Sequence, residues 1–187
     1  MVTVKLWLSL LSLLFVIVKS QLFHKCRDIK TMPDFDMSRY QGVWYDVAHL
    51  ENLSTWFEWD GDCVMAEYNY ISEGIFHYRN SMSRRGRYSE ISGNGYIPDL
   101  SRPGEITIKY GIVSAPYNVL ETDYENWALV YSCFYHGCFR FESPWILARR
   151  NEIDSNLRDY LINKYRRYGV DTFKFVYTKH ENCTYKP

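Results

Sequence analysis

The sequence predicts an all-β fold, an eight-stranded up-and-down antiparallel barrel with one C-terminal α-helix packed on its side. Between residues 42 and 150, short segments alternate apolar and polar residues, which is the period of a half-buried strand. These segments follow one another across short turns, without helical periodicity between them. Consecutive antiparallel strands in this number can remove their edges by closing into a barrel, with room for side chains or one small ligand.

The N-terminal segment, residues 1–20, is typical of a secretory signal peptide. Lys5 supplies a positive start, residues 6–18 are nearly all apolar, and Ser20 is a small residue suited to cleavage before Gln21. The apolar run is too short and too early to be taken first as a membrane span, and a signal anchor is the alternative. We therefore expect residues 21–187 to form a single domain with its own core.

The first strand begins at Gly42 and is expected to enter the closed end of the barrel. Glycine adopts backbone angles that other residues avoid, and Trp44 is large enough to plug that end. A guanidinium stacked on the indole ring would suit this position, and Arg149, which ends a late strand, is the plausible donor. An ordinary buried tryptophan on a strand is the alternative interpretation.

The next two strands, residues 63–71 and 75–83, are joined by a turn at residues 72–74. On the second of them Tyr78, Asn80 and Met82 share one face. Asn80 is the polar exception on that face, and a buried amide must be hydrogen bonded, so Asn80 is a candidate ligand contact. An asparagine satisfied by backbone or water is the alternative.

The remaining strands are separated by turns rich in proline, glycine and charge. They are expected at residues 88–96, 106–110, 117–121 and 127–134, with the eighth strand ending near residue 150. A helix follows, capped by Asp154 or Ser155 and ended by Gly169, with apolar residues recurring four apart on the face that should pack on the barrel. A short ninth strand is expected at residues 173–177.

All five cysteines lie after the signal segment, where a secreted protein uses them for disulfides. Two disulfides and one remaining thiol are the default, and the spacing leaves the pairing open. Cys133, His136 and Cys138 lack a usual zinc spacing, so we expect no metal site, and no cofactor is indicated. The sequons at Asn52 and Asn182 are candidate glycosylation sites.

The loop of residues 50–62 carries three large aromatic residues, Trp56, Phe57 and Trp59. They either fold back over the barrel opening or are exposed to a membrane or protein partner. Lys and Arg total 22 and Asp and Glu total 22, so the chain lacks the basic charge that a nucleic-acid partner would require. The sequence does not indicate an oligomeric state.

Three segments together resemble the lipocalin family: Gly42–Tyr45, Ser114–Cys133 with its Thr122-Asp123-Tyr124 motif, and Trp145–Arg149. They occur in order and at the family's spacing, and the resemblance covers nearly the whole chain after residue 20. Within the family the chain is most similar to the apolipoprotein D-like members and their relatives, the insect bilin-binding proteins and crustacyanins. The resemblance implies a calyx with a lipophilic ligand inside and gives Trp44 and Arg149 the role of a plug.

The resemblance also implies the disulfides Cys26–Cys133 and Cys63–Cys183, which leave Cys138 as a free thiol near the open mouth. That thiol could cross-link to another protein or be idle. The family's pocket positions fall on Tyr40, Tyr68, Asn80, Tyr117 and Trp145, and Tyr78 adds apolar surface. Met82 departs from the family pattern because apolipoprotein D has a glutamate there, which would make this pocket more apolar.

These observations favour a secreted carrier that binds and transports a small hydrophobic ligand, such as a lipid, fatty acid or sterol-like molecule, in a barrel pocket. A pigment-binding protein for a bilin or carotenoid is the alternative. We expect no enzyme, because the sequence has no Gly-x-Ser-x-Gly elbow, zinc-helix motif or pair of acids at an obvious spacing. The barrel mouth is a further candidate for contact with a membrane or a protein.

Overall fold

The structure, a computed structural model, describes residues 26–50, 60–136 and 139–185. The signal segment 1–20, the sequon at Asn52, the aromatic residues Trp56, Phe57 and Trp59, and Cys138 lie outside this part of the chain. The elements are α1 (Met37–Tyr40), β1 (Gly42–Leu50), β2 (Asp62–Ser72), β3 (Ile75–Arg84), β4 (Arg87–Tyr96), β5 (Glu105–Tyr110), β6 (Val113–Thr122), β7 (Trp127–His136), β8 (Phe139–Ala148), α2 (Ser155–Arg167) and β9 (Phe175–Tyr177).

The strands β1 to β8 form a closed antiparallel barrel, as predicted. Each strand pairs with the next, and β1 pairs with both β2 and β8, so the sheet has no free edge between first and last strand. Trp44 lies opposite Ala66 on β2, and Tyr45 lies opposite Ala148 on β8. The short strand β9 pairs with the end of β1 and extends the sheet outside the barrel.

Three elements differ from the sequence prediction. The ninth strand, expected at residues 173–177, begins at Phe175 and follows a 3-10 helix over Thr172–Lys174. The arm before β1 contains the short helix α1, whose N-cap Asp36 accepts a hydrogen bond from Ser38 N, where an irregular segment was expected. The strand β6 begins at Val113 rather than at Tyr117, because the two-residue turn after Tyr110 lets Val113 pair with that residue directly. The β5–β6 hairpin is therefore longer than predicted.

A β-bulge in β1 determines which side chains face the barrel interior. Asp46 lies opposite Leu147 and Ala48 opposite Ile146, so two steps on β1 match one step on β8. Before the bulge, Trp44 belongs to the cluster inside the barrel; after it, Ala48 belongs to the cluster between the barrel wall and α2. Simple alternation would have turned Ala48 inward.

The helix α2 packs on the outside of the barrel, as the sequence predicted. Asp154 caps it by accepting hydrogen bonds from the backbone N–H groups of Asn156 and Leu157. Its buried Tyr165 hydroxyl lies 2.7 Å from both Val130 O and Trp145 O, so it donates to carbonyls of β7 and β8. The helix is thereby fixed behind the wall that carries Trp145.

Two disulfides attach the ends of the described chain to the barrel. Cys26 bonds to Cys133 on β7, and Cys63 on β2 bonds to Cys183 in the tail. This is the pairing that the family resemblance implied. In the part of the chain that the structure describes, no helix has the length and apolar character needed to cross a membrane.

Candidate functional site

The closed end of the barrel is sealed by Trp44 and Arg149. The Trp44 ring is fully buried, and its Nε1–H donates to Tyr40 O at 2.8 Å. The Arg149 guanidinium carbon lies 3.8 Å from the centre of the indole ring, within the range of a cation–π contact. Gly42, which starts the strand, has φ +95°, a conformation that L side chains rarely adopt.

The Thr122-Asp123-Tyr124 motif forms the turn that holds Arg149. Thr122 Oγ1 donates to Trp127 O at 2.7 Å and accepts from Tyr124 N at 2.9 Å. Tyr124 O in turn accepts from Arg149 Nε at 3.0 Å, while Arg149 Nη1 donates to Val43 O at 2.9 Å. The guanidinium therefore joins this turn to the first strand.

Asp123 stabilises the same turn with its carboxylate. Its Oδ1 accepts from the backbone N–H groups of Asn126 at 2.7 Å and Trp127 at 3.0 Å. Partial burial alone would raise the pKa of Asp123, but the hydrogen bonds from Trp127 and Asn126 outweigh it and lower the pKa below its ordinary value. The folded turn therefore favours the ionised carboxylate.

Above the plug, three tyrosine hydroxyls meet at the floor of the barrel. Tyr68 donates to the Tyr117 hydroxyl at 2.7 Å, and the Tyr40 and Tyr117 oxygens are 3.0 Å apart. Tyr40 also stacks on Trp44, with ring centres 4.8 Å apart. Burial raises the pKa of Tyr40 and of Tyr117 above the ordinary value, so these two hydroxyls stay protonated and act as hydrogen-bonding groups.

A cavity of about 280 Å³ lies above this floor. Most of its lining is apolar, and a few polar side chains interrupt it. The lining residues are Asp46, Val64, Met65, Ala66, Tyr68, Tyr78, Asn80, Ile91, Ile108, Tyr110, Val113, Ala115, Pro116, Tyr117, Ser132, Phe134, Ser143, Trp145 and Leu147. An apolar cavity with a small number of polar groups is typical of a site for a small hydrophobic molecule.

The structure brings most of the predicted pocket residues to this cavity, namely Tyr68, Tyr78, Asn80, Tyr117 and Trp145. Two others lie outside the lining. Tyr40 lies behind Tyr117, stacked on the plug, so it supports the floor without forming it. Met82 is buried, with 3 % of its surface exposed, but it does not line the cavity.

Tyr78 closes a gap in the barrel wall. On β4, only Gly95 and Tyr96 pair with β5, opposite Ile108 and Thr107. At the next residue of β5, the Tyr78 hydroxyl donates to Lys109 O at 2.9 Å. A Cβ at Gly93 would lie 2.5 Å from the same carbonyl oxygen, so glycine allows the close approach. The ring of Tyr78 therefore forms the wall where the ladder ends.

The sequence reasoning missed the most polar residue of the cavity, Asp46. This side chain is 3 % exposed; its Oδ2 lies 2.6 Å from His49 Nδ1 and accepts from Thr178 Oγ1 at 2.9 Å. The signal was present, because Asp46 follows Trp44 by two positions on the same strand and so shares its face. Ser132 on β7 and Trp145 on β8 also line the cavity, and each shares its face with the residues two positions away on its strand. Of these two, the sequence analysis identified only Trp145 as a pocket residue.

The cavity offers groups that can bind a ligand. Among residues 26–50, 60–136 and 139–185, no cluster of three His, Cys, Asp or Glu side chains could hold a metal ion. Fold and cavity together define a class of protein: a closed antiparallel barrel that encloses a small hydrophobic ligand.

Comparisons with known proteins agree with this class. The model of the lipocalin-like domain matches residues 35–180, and the chain belongs to the lipocalin family. It is 36% identical over 189 residues to apolipoprotein D of Macaca fascicularis, covering 98% of each chain. It is 32% identical over 164 residues to insecticyanin-A of Manduca sexta, covering 81% of this chain and 84% of the relative.

Solved structures show the same fold. Insecticyanin from the tobacco hornworm Manduca sexta superposes with a TM-score of 0.73 at 28% identity, covering 84% of this chain and 87% of that one. Lobster apocrustacyanin A1 superposes with a TM-score of 0.66 at 26% identity, covering 78% and 79%. As a lipocalin, the protein is a carrier of hydrophobic ligands and not an enzyme.

Proposed function

We propose that the protein is a secreted carrier that binds and transports a lipid, fatty acid or sterol-like molecule in the barrel cavity. The observation that carries this proposal is the cavity itself, an apolar chamber sealed at one end by Trp44 and Arg149. Affinity would come chiefly from removing the apolar surface of the ligand from water against the aromatic lining. The similarity to apolipoprotein D over almost the whole chain supports a lipid as the ligand.

The role of Trp145 provides the test. Its ring lines the cavity, while its backbone carbonyl accepts from Tyr165, so the side chain can be shortened without breaking that bond. We expect Trp145→Ala to weaken the binding of a lipophilic probe such as retinol by about tenfold or more, because apolar contact area is lost. Trp127→Ala, outside the cavity and against Tyr160, is the matched control. Unchanged retinol affinity in a folded Trp145→Ala protein would contradict this pocket.

A pigment carrier for a bilin or carotenoid is the second candidate, favoured by the likeness to insecticyanin and apocrustacyanin A1. Native mass spectrometry and an absorbance spectrum of protein purified from its source separate the two. A coloured tetrapyrrole or carotenoid in the complex would assign a pigment carrier, whereas a colourless fatty acid or sterol would assign a lipid carrier.

Export is part of the proposal. We propose that residues 1–20 are removed as a signal peptide and that 21–187 form the secreted domain. The two disulfides, Cys26–Cys133 and Cys63–Cys183, support it because such bonds persist in oxidising compartments. N-terminal sequencing of the secreted protein should begin at Gln21, and treatment with an amidase specific for N-glycans should reduce its mass if Asn52 or Asn182 is glycosylated.

Contact of the barrel mouth with a membrane remains a proposal. Because alternate strands run in opposite directions, the β5–β6 hairpin lies at the end opposite Trp44, and its Ile112 is fully exposed beside the exposed Val113. Flotation with phosphatidylcholine vesicles tests this contact: Ile112→Ser should reduce the bound fraction. Equal flotation of the wild-type protein and this variant would count against it.

A further inference from the structure

We infer that the ligand presents a hydrogen-bond donor, a hydroxyl or N–H group, to the carboxylate of Asp46 inside the cavity. The inference rests on the proposed carrier function and specifies its ligand class. The chain would favour lipophiles that carry a donor group over fatty-acid anions and over lipophiles without a donor. Three observations about the cavity wall carry this conclusion.

The first observation is that protein groups contact only one of the two carboxylate oxygens of Asp46. Its Oδ2 accepts from Thr178 Oγ1 at 2.9 Å and lies 2.6 Å from His49 Nδ1. Because a carboxylate oxygen can only accept, His49 presents the N–H form of Nδ1 to it. The backbone O of Asp46 also lies 2.7 Å from His180 Nε2, so the C-terminal tail contacts both the side chain and the backbone of Asp46.

The second observation is that the other carboxylate oxygen of Asp46 is unsatisfied. Asp46 Oδ1 is buried and has no hydrogen-bond partner among the described residues. A buried polar atom without a partner carries a large desolvation cost, and such atoms are rare in folded proteins. Asp46 lines the cavity, so a molecule in the cavity is in position to supply the missing donor.

The third observation is a second unsatisfied acceptor on the same wall. Trp44 lies opposite Ala66, and Ala66 lies opposite Asn80, so Asn80 and Asp46 come from strands separated only by β2. Asn80 Oδ1 is also buried without a partner among the described residues, and Asn80 lines the cavity. The amide can present either its oxygen or its NH₂ group, so it can adapt to the ligand.

The missing donor at Asp46 determines which head groups are disfavoured. An ionised carboxylate on the ligand can only accept hydrogen bonds, so it would leave Oδ1 unpaired and would place a second acid group beside Asp46. A neutral ester or ether would leave Oδ1 unpaired. A hydroxyl or N–H group removes the penalty, and a hydrogen bond to a charged acceptor is stronger than one between neutral groups.

Three retinoids with a common apolar body provide the test: retinol has a donor, retinyl methyl ether has none, and retinoic acid is an anion. Affinities are measured by quenching of tryptophan fluorescence, since Trp145 lines the cavity. We expect wild-type protein to bind retinol about tenfold or more tightly than either of the others. Asp46→Asn should remove most of this preference and strengthen the binding of retinoic acid. Asp159→Asn, an exposed carboxylate on α2, is the matched control and should keep the wild-type order.

Each outcome decides between the proposals. Equal wild-type affinity for retinol and its methyl ether, or an unchanged preference in folded Asp46→Asn, would overturn the inference while leaving the carrier function intact. If none of the three retinoids bound, both the proposed carrier function and the inference about Asp46 would fail. The wild-type comparison of retinol with its methyl ether decides the question without the variant, should Asp46→Asn not fold.

Discussion

The Arg149 guanidinium carbon lies 3.8 Å from the centre of the Trp44 ring, and the same guanidinium donates hydrogen bonds to Val43 O and Tyr124 O. One side chain therefore covers the plug of the barrel and ties the first strand to the β6–β7 turn. A lysine cannot reproduce this arrangement, because an ammonium group lacks the planar fork of donors.

Replacing Arg149 with lysine should consequently destabilise the barrel by about 2–4 kcal/mol, through lost hydrogen bonds to buried carbonyls and lost cation–π contact. Urea unfolding followed by circular dichroism measures the change. Arg150→Lys, at the exposed neighbouring position, should change the free energy of unfolding by less than about 0.5 kcal/mol. Equal stabilities of the two variants would contradict the role given to Arg149.

The tyrosine floor leads to a second prediction. Tyr117→Phe removes the acceptor of the Tyr68 hydroxyl and the partner of the Tyr40 hydroxyl, both in the buried cluster. We expect a loss of about 1–3 kcal/mol in the free energy of unfolding. Tyr70→Phe, at a partly exposed position on β2, is the control and should have little effect. A loss no larger than that of Tyr70→Phe would show that the hydroxyl cluster does not stabilise the floor.

The turn at Asp123 leads to a prediction about pH. Its pKa is lower in the folded protein than its ordinary value of 3.8, so the carboxylate stabilises the fold above that pH and loses this contribution as the pH falls through the lowered value. Asp123→Asn should therefore be less stable than wild type at pH 7, and the difference should shrink below about pH 4. Thermal unfolding at pH 7, 4 and 3 measures it; a difference that stayed constant to pH 3 would disagree with this account.

The tail disulfide leads to a prediction about stability. Cys63 and Cys183 are 120 residues apart, so their bond restrains a large part of the unfolded chain. Replacing both cysteines with serine should cost about 2–5 kcal/mol. Urea unfolding under non-reducing conditions measures the loss, and the wild-type protein with its disulfides reduced provides a comparison. Unchanged stability in the double variant would mean that Lys179 O and the other backbone contacts of the tail hold it without the bond.

The sequence alone determined the repeated two-residue period, the number of strands and the helix. It also carried the Gly42, Trp44 and Arg149 pattern that led to the family, because each of these signals is local or is a motif at a known spacing. On one strand, period two identifies the residues that share a face, and Tyr78 with Asn80 were found in this way.

Only the tertiary structure decided which side chains meet across the barrel. Tyr68 and Tyr117 of the floor and Tyr40 behind them come from two strands and one helix, and no local pattern states that their hydroxyls touch. The bulge after Asp46 is likewise invisible in the sequence, because it arises from the register with β8. Pairing register and barrel closure bring distant strands together, and they leave one oxygen of Asp46 buried without a protein donor among the described residues.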